Sequence, residues 1–328
     1  MSLKSGVCQK HHMYKYLLIP LLGVILMVAC TNEPETDGKY VDLGLKWAGV
    51  DSINQDLPAG IKVFHTEFSG ESLRAWYVKV EEYLPTVETR VVVSIDSDKR
   101  ETISDFAKRL NADVMINGGY FRMDLNPARH VGILKVDGEV VQPATPSVLR
   151  GEQRYYLHRS AIGFNAEDEL AIGWVSSQSD SVFLWDQGIQ NMPDIPGARL
   201  DSSHRELWNA RDVLGGGPLL IRDGRINISI NEEAFFGTSI PQVHPRTAAG
   251  ITEAGDLILL LVDGRQLVSR GVDLNELASI LMDLGCEDAL NLDGGGSSAL
   301  VVNGRLLNRP AGKTTEREVM SAIAVFTK

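Results

Sequence analysis

Apolar residues along this chain fall mostly in short runs, and several of those runs stop at a polar residue followed by glycine. Residues 61–67, 74–80 and 90–95 have the length and the β-branched and aromatic content of strands, and Ser69-Gly70-Glu71 reads as a hairpin turn between the first two. Residues 102–110 follow another period: Ile103, Phe106, Ala107 and Leu110 recur at i, i+3, i+4 and i+7, which predicts a short helix. A strand over 112–116 follows and ends in Asn117-Gly118-Gly119. An Asn-Gly pair fits a hairpin turn, and it fits a strand-end binding loop equally well.

The middle of the chain is less regular. Residues 131–136 and 139–141 pair as a hairpin across Asp137-Gly138, and 161–165 with 169–175 predict another. Residues 178–211 carry little periodicity and read as a surface excursion, whose Trp185, Arg205 and Trp208 either line a sugar site or anchor a long loop. At 212–221 a triple glycine, Gly215-Gly216-Gly217, separates two apolar runs.

The last third is the most ordered. A continuous apolar strand over 256–262 ends in Asp263-Gly264-Arg265. A helix follows over 273–284: Asp273 and Glu276 fit a capping box, Leu274, Leu277, Ala278 and Leu281 share one face, and Gly285 closes it. Another apolar strand ends at Asp293, before Gly294-Gly295-Gly296-Ser297-Ser298. Strand, helix and strand at this spacing predict a crossover joining parallel strands. Asp263 and Asp293 then leave the sheet at one edge, where such sheets bind ligands. Strand segments 299–302 and 321–326 complete the fold, predicted as α+β: a mixed β-sheet with strand-helix-strand units and the site at strand C-terminal ends.

Charge and cysteine use narrow the class. In 328 residues, 43 acidic side chains face 32 basic ones, a net charge of −11 that disfavours nucleic acid as a partner. Residues 1–29 read as a leader, with Lys10 and Lys15 before an apolar run and a lipobox-like Leu26-Met27-Val28-Ala29-Cys30 at its end. Cleavage there removes three lysines, takes the charge to about −14 and makes Cys30 the lipidated N-terminus. Cys8 leaves with the leader and Cys286 stays unpaired, so no intrachain disulfide is expected. The predicted organisation is leader 1–29, acidic tether 30–46, N-terminal strands 47–110 packing on a catalytic domain, and that domain at 111–328. The predicted location is the bacterial cell envelope, with a lipid anchor as the sole membrane contact.

The candidate chemistry gathers at strand ends. Three consecutive glycines weaken a fold unless the backbone must turn sharply or admit a close neighbour. A carboxylate beside such a loop, Asp293, suits a ligand with charged oxygens. Arg246 at a strand mouth presents a fork for carboxylate or phosphate. Two aspartates, an amide and an arginine at one edge favour a site where each alone would not.

Asn117-Gly-Gly-Tyr-Phe121, Gly215-Gly-Gly-Pro218, Pro245-Arg-Thr-Ala-Ala-Gly250, Val262-Asp-Gly-Arg265, Glu276-Leu-Ala278 and Asn291-Leu-Asp-Gly-Gly-Gly-Ser-Ser298 occur in an order that resembles the phosphodiester glycosidase family. That family includes the catalytic domain of the uncovering enzyme, N-acetylglucosamine-1-phosphodiester α-N-acetylglucosaminidase, and many bacterial proteins. The resemblance covers residues 111–326. Tyr120, Ala249 and Ala299 stand where the family favours Phe, Ile and Thr, and none of these changes removes a charged or amide group.

The resemblance implies hydrolysis of a sugar-1-phosphodiester or phosphoglycan at the anomeric C–O bond. Asp293 would activate water or attack the anomeric carbon, and Asp263 would support it. Arg246 and the N–H groups of Gly294, Gly295 and Gly296 would hold the phosphate. Asn117, Ser297 and Ser298 would orient substrate, with Gly118, Tyr120, Gly216 and Thr247 lining the site. No cofactor is required, though Asp263 and Asp293 leave room for a single divalent cation. Two rival readings stand beside it. A metal-dependent phosphodiesterase needs denser ligands than the scattered His65, His130, His158, His204 and His244. A non-catalytic glycan-binding lipoprotein would keep the cleft without the chemistry.

Overall fold

The computed structural model describes residues 38–68, 70, 72–164 and 170–328, so the leader, Cys30 and most of the acidic tether lie outside the described residues. Three sheets carry the fold, and strands far outweigh helices among the described residues. The largest runs, in spatial order, Ala48–Gly49, Ile61–Phe68, Leu73–Val80, Leu257–Val262, Arg246–Thr252, Cys286–Asn291, Leu219–Arg222 and Arg225–Ile226. All of its pairings are antiparallel. A five-stranded sheet contains Arg305–Leu306, Leu300–Val302, Val114–Asn117, Ser321–Thr327 and Val87–Val93. A seven-stranded sheet is centred on Leu170–Gln178, Arg159–Phe164 and Asp212–Gly215. The α+β expectation fits this only loosely, because sheet packs mainly on sheet.

The continuous apolar runs follow from burial on both faces. In Leu257–Val262, Leu257, Leu259 and Leu261 enter the core shared by the three sheets, where Ile116, Ile162 and Leu300 also sit. Ile258, Leu260 and Val262 point the other way, against Leu274, Leu277, Ala278 and Leu281 of the Leu274–Asp283 helix. That helix has the predicted capping box, with Glu276 N–H donating to Asp273 Oδ1 at 2.9 Å and Asp273 N–H donating to Glu276 at 3.0 Å. The Ile103–Leu110 helix covers the five-stranded sheet, placing Phe106 and Ala107 with Met115, Ala322 and Ala324.

Four expectations change. The two strands flanking the Leu274–Asp283 helix do run the same way, but they do not pair. Arg246–Thr252 lies between them and is antiparallel to both. The N-terminal strands do not merely pack on the domain. Leu73–Val80 bonds directly to Leu257–Val262, and Val87–Val93 bonds to Ser321–Thr327. Nor does the tether extend to residue 46: Lys39 and Val41 N–H groups donate to Asn275 and Ser279 of the helix at 2.8 Å, and Leu43 is buried beneath it. The supposed surface excursion likewise contributes Ser181–Trp185 and Arg205–Leu207 to the seven-stranded sheet.

Two glycine segments connect the sheets. Gly216 and Gly217 carry the chain from Asp212–Gly215 in one sheet to Leu219–Arg222 in another. A Cβ on Gly216 would stand 2.7 Å from the Asn291 carbonyl oxygen, so only glycine permits that crossing. Gly118 and Gly119 pass as tightly, against Ser321 and the Gly215 carbonyl.

Candidate active site

Asp293 leaves the end of Cys286–Asn291 and faces a cleft of about 290 Å³. Its wall includes Tyr120, His244, Arg246, Arg265, Gly294, Gly295, Gly296 and Arg317. The Asp293 side chain is half-buried there. Burial raises its pKa to about 6, against the opposing pull of the Ser297 hydroxyl, the Arg317 charge and the Gly294 N–H. The Gly294 N–H donates to its Oδ1 at 2.9 Å. Ser297 acts on the carboxylate at close range without a well-shaped hydrogen bond, since its Oγ has no partner of good geometry.

The glycine loop carries no side chains where two guanidinium groups lie against it. Gly295 has φ +65°, and a Cβ there would be 3.3 Å from both Arg265 Nη atoms. One on Gly296 would be 2.5 Å from Arg317 Nη2. The loop's N–H groups are less available than the sequence implied: Gly294 N–H is given to Asp293, and Gly295 N–H donates to the Pro245 carbonyl at 2.8 Å. Positive charge in the cleft therefore comes from side chains. Arg265 is exposed, with Nη2 3.1 Å from His244 Nδ1. Arg246 lines the cleft but is 3% exposed and braces backbone, donating to Val272 O at 3.0 Å, to Ile240 O at 2.7 Å and to Gln242 O. Burial lowers its pKa to about 10.

Asn117 does not reach the cleft wall. It is fully buried and clasps the loop from behind: Nδ2 donates to the Asp293 carbonyl at 2.6 Å, while Oδ1 accepts from Thr247 Oγ1 at 2.7 Å and from Ala299 N–H at 3.2 Å. It belongs to the five-stranded sheet, so the ends of two sheets meet at Asp293 rather than one edge supplying everything. Gly118 adds its carbonyl, which accepts from Asp293 N–H at 3.1 Å. Thr247, Gly216, Ser297 and Ser298 are all buried behind the loop and do not line the cleft. Tyr120 does, with its hydroxyl donating to Gly217 O at 2.8 Å and accepting from Asn291 Nδ2 at 2.6 Å. Its pKa is raised by burial and by the nearby Asp293 charge.

Asp263 corrects the expectation of two facing carboxylates. It shares the sheet edge with Asp293 but does not line the cleft. Its side chain is 1% exposed, pairs with Arg74 at 2.7 Å and accepts from Asn308 Nδ2 at 3.2 Å. Burial raises its pKa while Arg74 and Asn308 pull it down. Asn308 also donates to the Ser298 carbonyl at 2.9 Å, so Asp263 braces the loop at one remove. With those oxygens engaged, Asp263 and Asp293 do not form a common donor set for a cation. Among the described residues no three His, Cys, Asp or Glu side chains gather into a metal-binding group.

Sequence reasoning missed Arg317, Arg74 and Asn308. Arg265 lies in a sequence motif, but its residue type alone assigned it no role. Arg265 was the findable one, two residues beyond the strand-ending Asp263; Arg317 sits in a polar loop without periodicity. Trp185 and Arg205 line a separate cavity, whereas Trp208 packs on Gly163.

The sequence profile of the phosphodiester glycosidase family matches residues 110–326. N-acetylglucosamine-1-phosphodiester alpha-N-acetylglucosaminidase of Bos taurus is 28% identical over 224 residues, 66% of this chain and 36% of that protein. The Homo sapiens protein of the same name is 27% identical over 222 residues, 65% of this chain and 36% of its own length. The chain thus spans little more than a third of these relatives. In three dimensions it is similar to the zebrafish N-acetylglucosamine-1-phosphodiester alpha-N-acetylglucosaminidase catalytic domain auto-inhibited by its pro-peptide. That match has a TM-score of 0.58 at 22% identity and covers 87% of this chain and 88% of that one. At that identity the likeness concerns the fold alone. With two thirds of its length matched by the family profile, the chain belongs to the phosphodiester glycosidase family.

Proposed function

We propose that the cleft hydrolyses a sugar-1-phosphodiester at the anomeric C–O bond. The observation that carries this reading is one carboxylate, Asp293, with its pKa raised to about 6, set among the guanidinium groups of Arg246, Arg265 and Arg317. The relatives are named for an N-acetylglucosamine-1-phosphodiester, and a substrate of that class matches the wall's chemistry. A phosphodiester is already anionic, so Arg265 and Arg317 hold it in the ground state. They hold it more strongly as the bridging oxygen takes up charge. A phosphomonoester leaves far more readily than an alcohol, so the cleft can do without a second carboxyl group as general acid.

Asp293, ionised above pH of about 6, works on the opposite side of the anomeric carbon. It either takes a proton from water or attacks that carbon while the ring passes through an oxocarbenium-like state. The water oxygen ends on the sugar, and the bridging oxygen leaves on phosphorus. Asn117, Thr247, Gly118, Gly216, Ser297 and Ser298 act as positioning groups that fix the Asp293 loop, and Asp263 supports them through Asn308. Tyr120 and Gly296 contact substrate from the wall.

Hydrolysis of an N-acetylglucosamine-1-phosphodiester in ¹⁸O-water tests the bond. Label in the released sugar supports the reading. Label in the phosphate would make the reaction a phosphodiesterase and sink it.

A further inference from the structure

A second cavity, of about 360 Å³, opens at one end of the seven-stranded sheet and shares no lining residue with the Asp293 cleft. Its floor is apolar, from Pro146, Leu157, Val175, Ile189 and Leu200, and its polar groups include Thr145, Ser177 and Gln178. Two arginines reach it, and each guanidinium lies over an aromatic ring. The Arg199 guanidinium sits 3.6 Å from the Tyr156 ring centre, and that of Arg205 sits 4.0 Å from Phe183 and 5.6 Å from Trp185. His158 stacks on the face of Trp185 at 3.9 Å, and its buried Nδ1 has no hydrogen-bond partner.

The charge arrangement is unusual for this chain. No Asp or Glu lines the cavity although acidic residues outnumber basic ones, 43 to 32. Neither guanidinium has a carboxylate partner among the described residues. Stacking on a ring fixes a guanidinium plane and leaves its N–H edge free to fork onto an anion. Ordering the fork in advance lowers the entropy lost on binding. The aromatic faces are thus occupied by cations and imidazole, so an aromatic sugar platform of the usual stacked kind is not on offer. What is on offer is an anion fork beside an apolar floor with hydroxyl-matching groups at the rim. The volume lies at the low end of the roughly 300–1,000 Å³ common for small-molecule sites, enough for a single ring.

We propose that this cavity binds an acidic sugar, one pyranose-sized ring bearing a carboxylate or phosphate. Arg199 and Arg205 take the anion, the ring's C–H face lies on Leu157, Val175 and Leu200, and Ser177 and Gln178 meet its hydroxyls. In an enzyme acting on anionic glycans this is a grip on a unit other than the one being cleaved, but the binding itself does not depend on the catalytic reading.

Titration calorimetry on the folded protein tests it, with four probes: galacturonic acid, galactose, glucose 6-phosphate and inorganic phosphate. Galacturonic acid and glucose 6-phosphate should saturate. Galactose and inorganic phosphate should each bind at least about tenfold more weakly, because each lacks half of the recognised chemistry. Arg199→Gln and Arg205→Gln, tested singly, should each weaken the acidic sugars by about tenfold. Arg317→Gln, in the other cleft, should leave galacturonic acid binding unchanged, and thermal unfolding checks that each variant is folded. Equal affinity for galactose and galacturonic acid would overturn the proposal, as would phosphate alone matching glucose 6-phosphate. So would galacturonic acid binding lost in Arg317→Gln but kept in the Arg199 and Arg205 variants, or failure of both acidic sugars to saturate.

Discussion

Replacing Asp293 by Asn should make the protein more stable and nearly inactive, and the size of the first effect follows from the carboxylate's surroundings. Burial holds the Asp293 pKa at about 6, against an ordinary value of 3.8. Between those values the folded chain binds more protons than the unfolded one, so stability falls as pH rises through that window and levels off above it. Two pKa units correspond to about 3 kcal/mol. The mouth of the cleft admits solvent, which screens the charge and reduces this to about 2 kcal/mol. Asparagine has the same shape, its Oδ1 can accept the Gly294 N–H, and it carries no charge to desolvate. Urea unfolding followed by tryptophan fluorescence should show Asp293→Asn about 2 kcal/mol more stable than the parent at pH 8, with the two nearly equal at pH 4. Turnover of a sugar-1-phosphodiester should drop by about 10²–10⁴-fold through kcat, the range lost with a positioned base. A variant no more stable than the parent at pH 8, or a stability gap that does not change with pH, would refute the argument that desolvation tunes this group.

Four further outcomes are expected. The kcat/KM profile should rise about tenfold per pH unit up to pH of about 6 and flatten above it, because the working form of Asp293 is ionised; a flat profile from pH 4 to 8 counts against it. Arg74→Ala should cost about 2 kcal/mol in thermal unfolding by stranding the Asp263 charge, less than for a sealed pair because Arg74 is 22% exposed. Adding Asp263→Asn should restore most of that loss, and an additive double variant contradicts the pairing. Asn117→Ala should cost about 2–4 kcal/mol, through the unsatisfied Thr247 hydroxyl and Ala299 N–H, and lower kcat more than it raises KM. Unchanged kcat in a folded variant would dismiss its positioning role. Metabolic palmitate labelling should fail in Cys30→Ser; retained label would remove the lipid anchor.

The sequence by itself determined the features whose causes lie within a few residues. The helix after Asp273 was legible to its ends because a capping box and a closing glycine are local devices. The Leu257–Val262 strand was legible because burial on both faces demands an unbroken apolar run. Asp293 at a glycine loop was legible too, since three glycines in a row need a close neighbour to justify them. That neighbour was not: the guanidinium groups of Arg265 and Arg317 arrive from a turn and a loop with no periodicity of their own. The tertiary structure also decided between two similar aspartates. Both end strands that run the same way in one sheet, on either side of Arg246–Thr252. Arg74, 189 positions earlier in the chain, neutralises Asp263 in the interior, while Asp293 meets its cations across open cleft. Alternation and capping are written in neighbouring residues, whereas the partner of a buried charge is set by the path of the whole chain. The inserted Arg246–Thr252 strand, the sheet built partly from N-terminal residues and the Asn117 clasp between two sheets are decided at that level, and they turn a legible loop into a site.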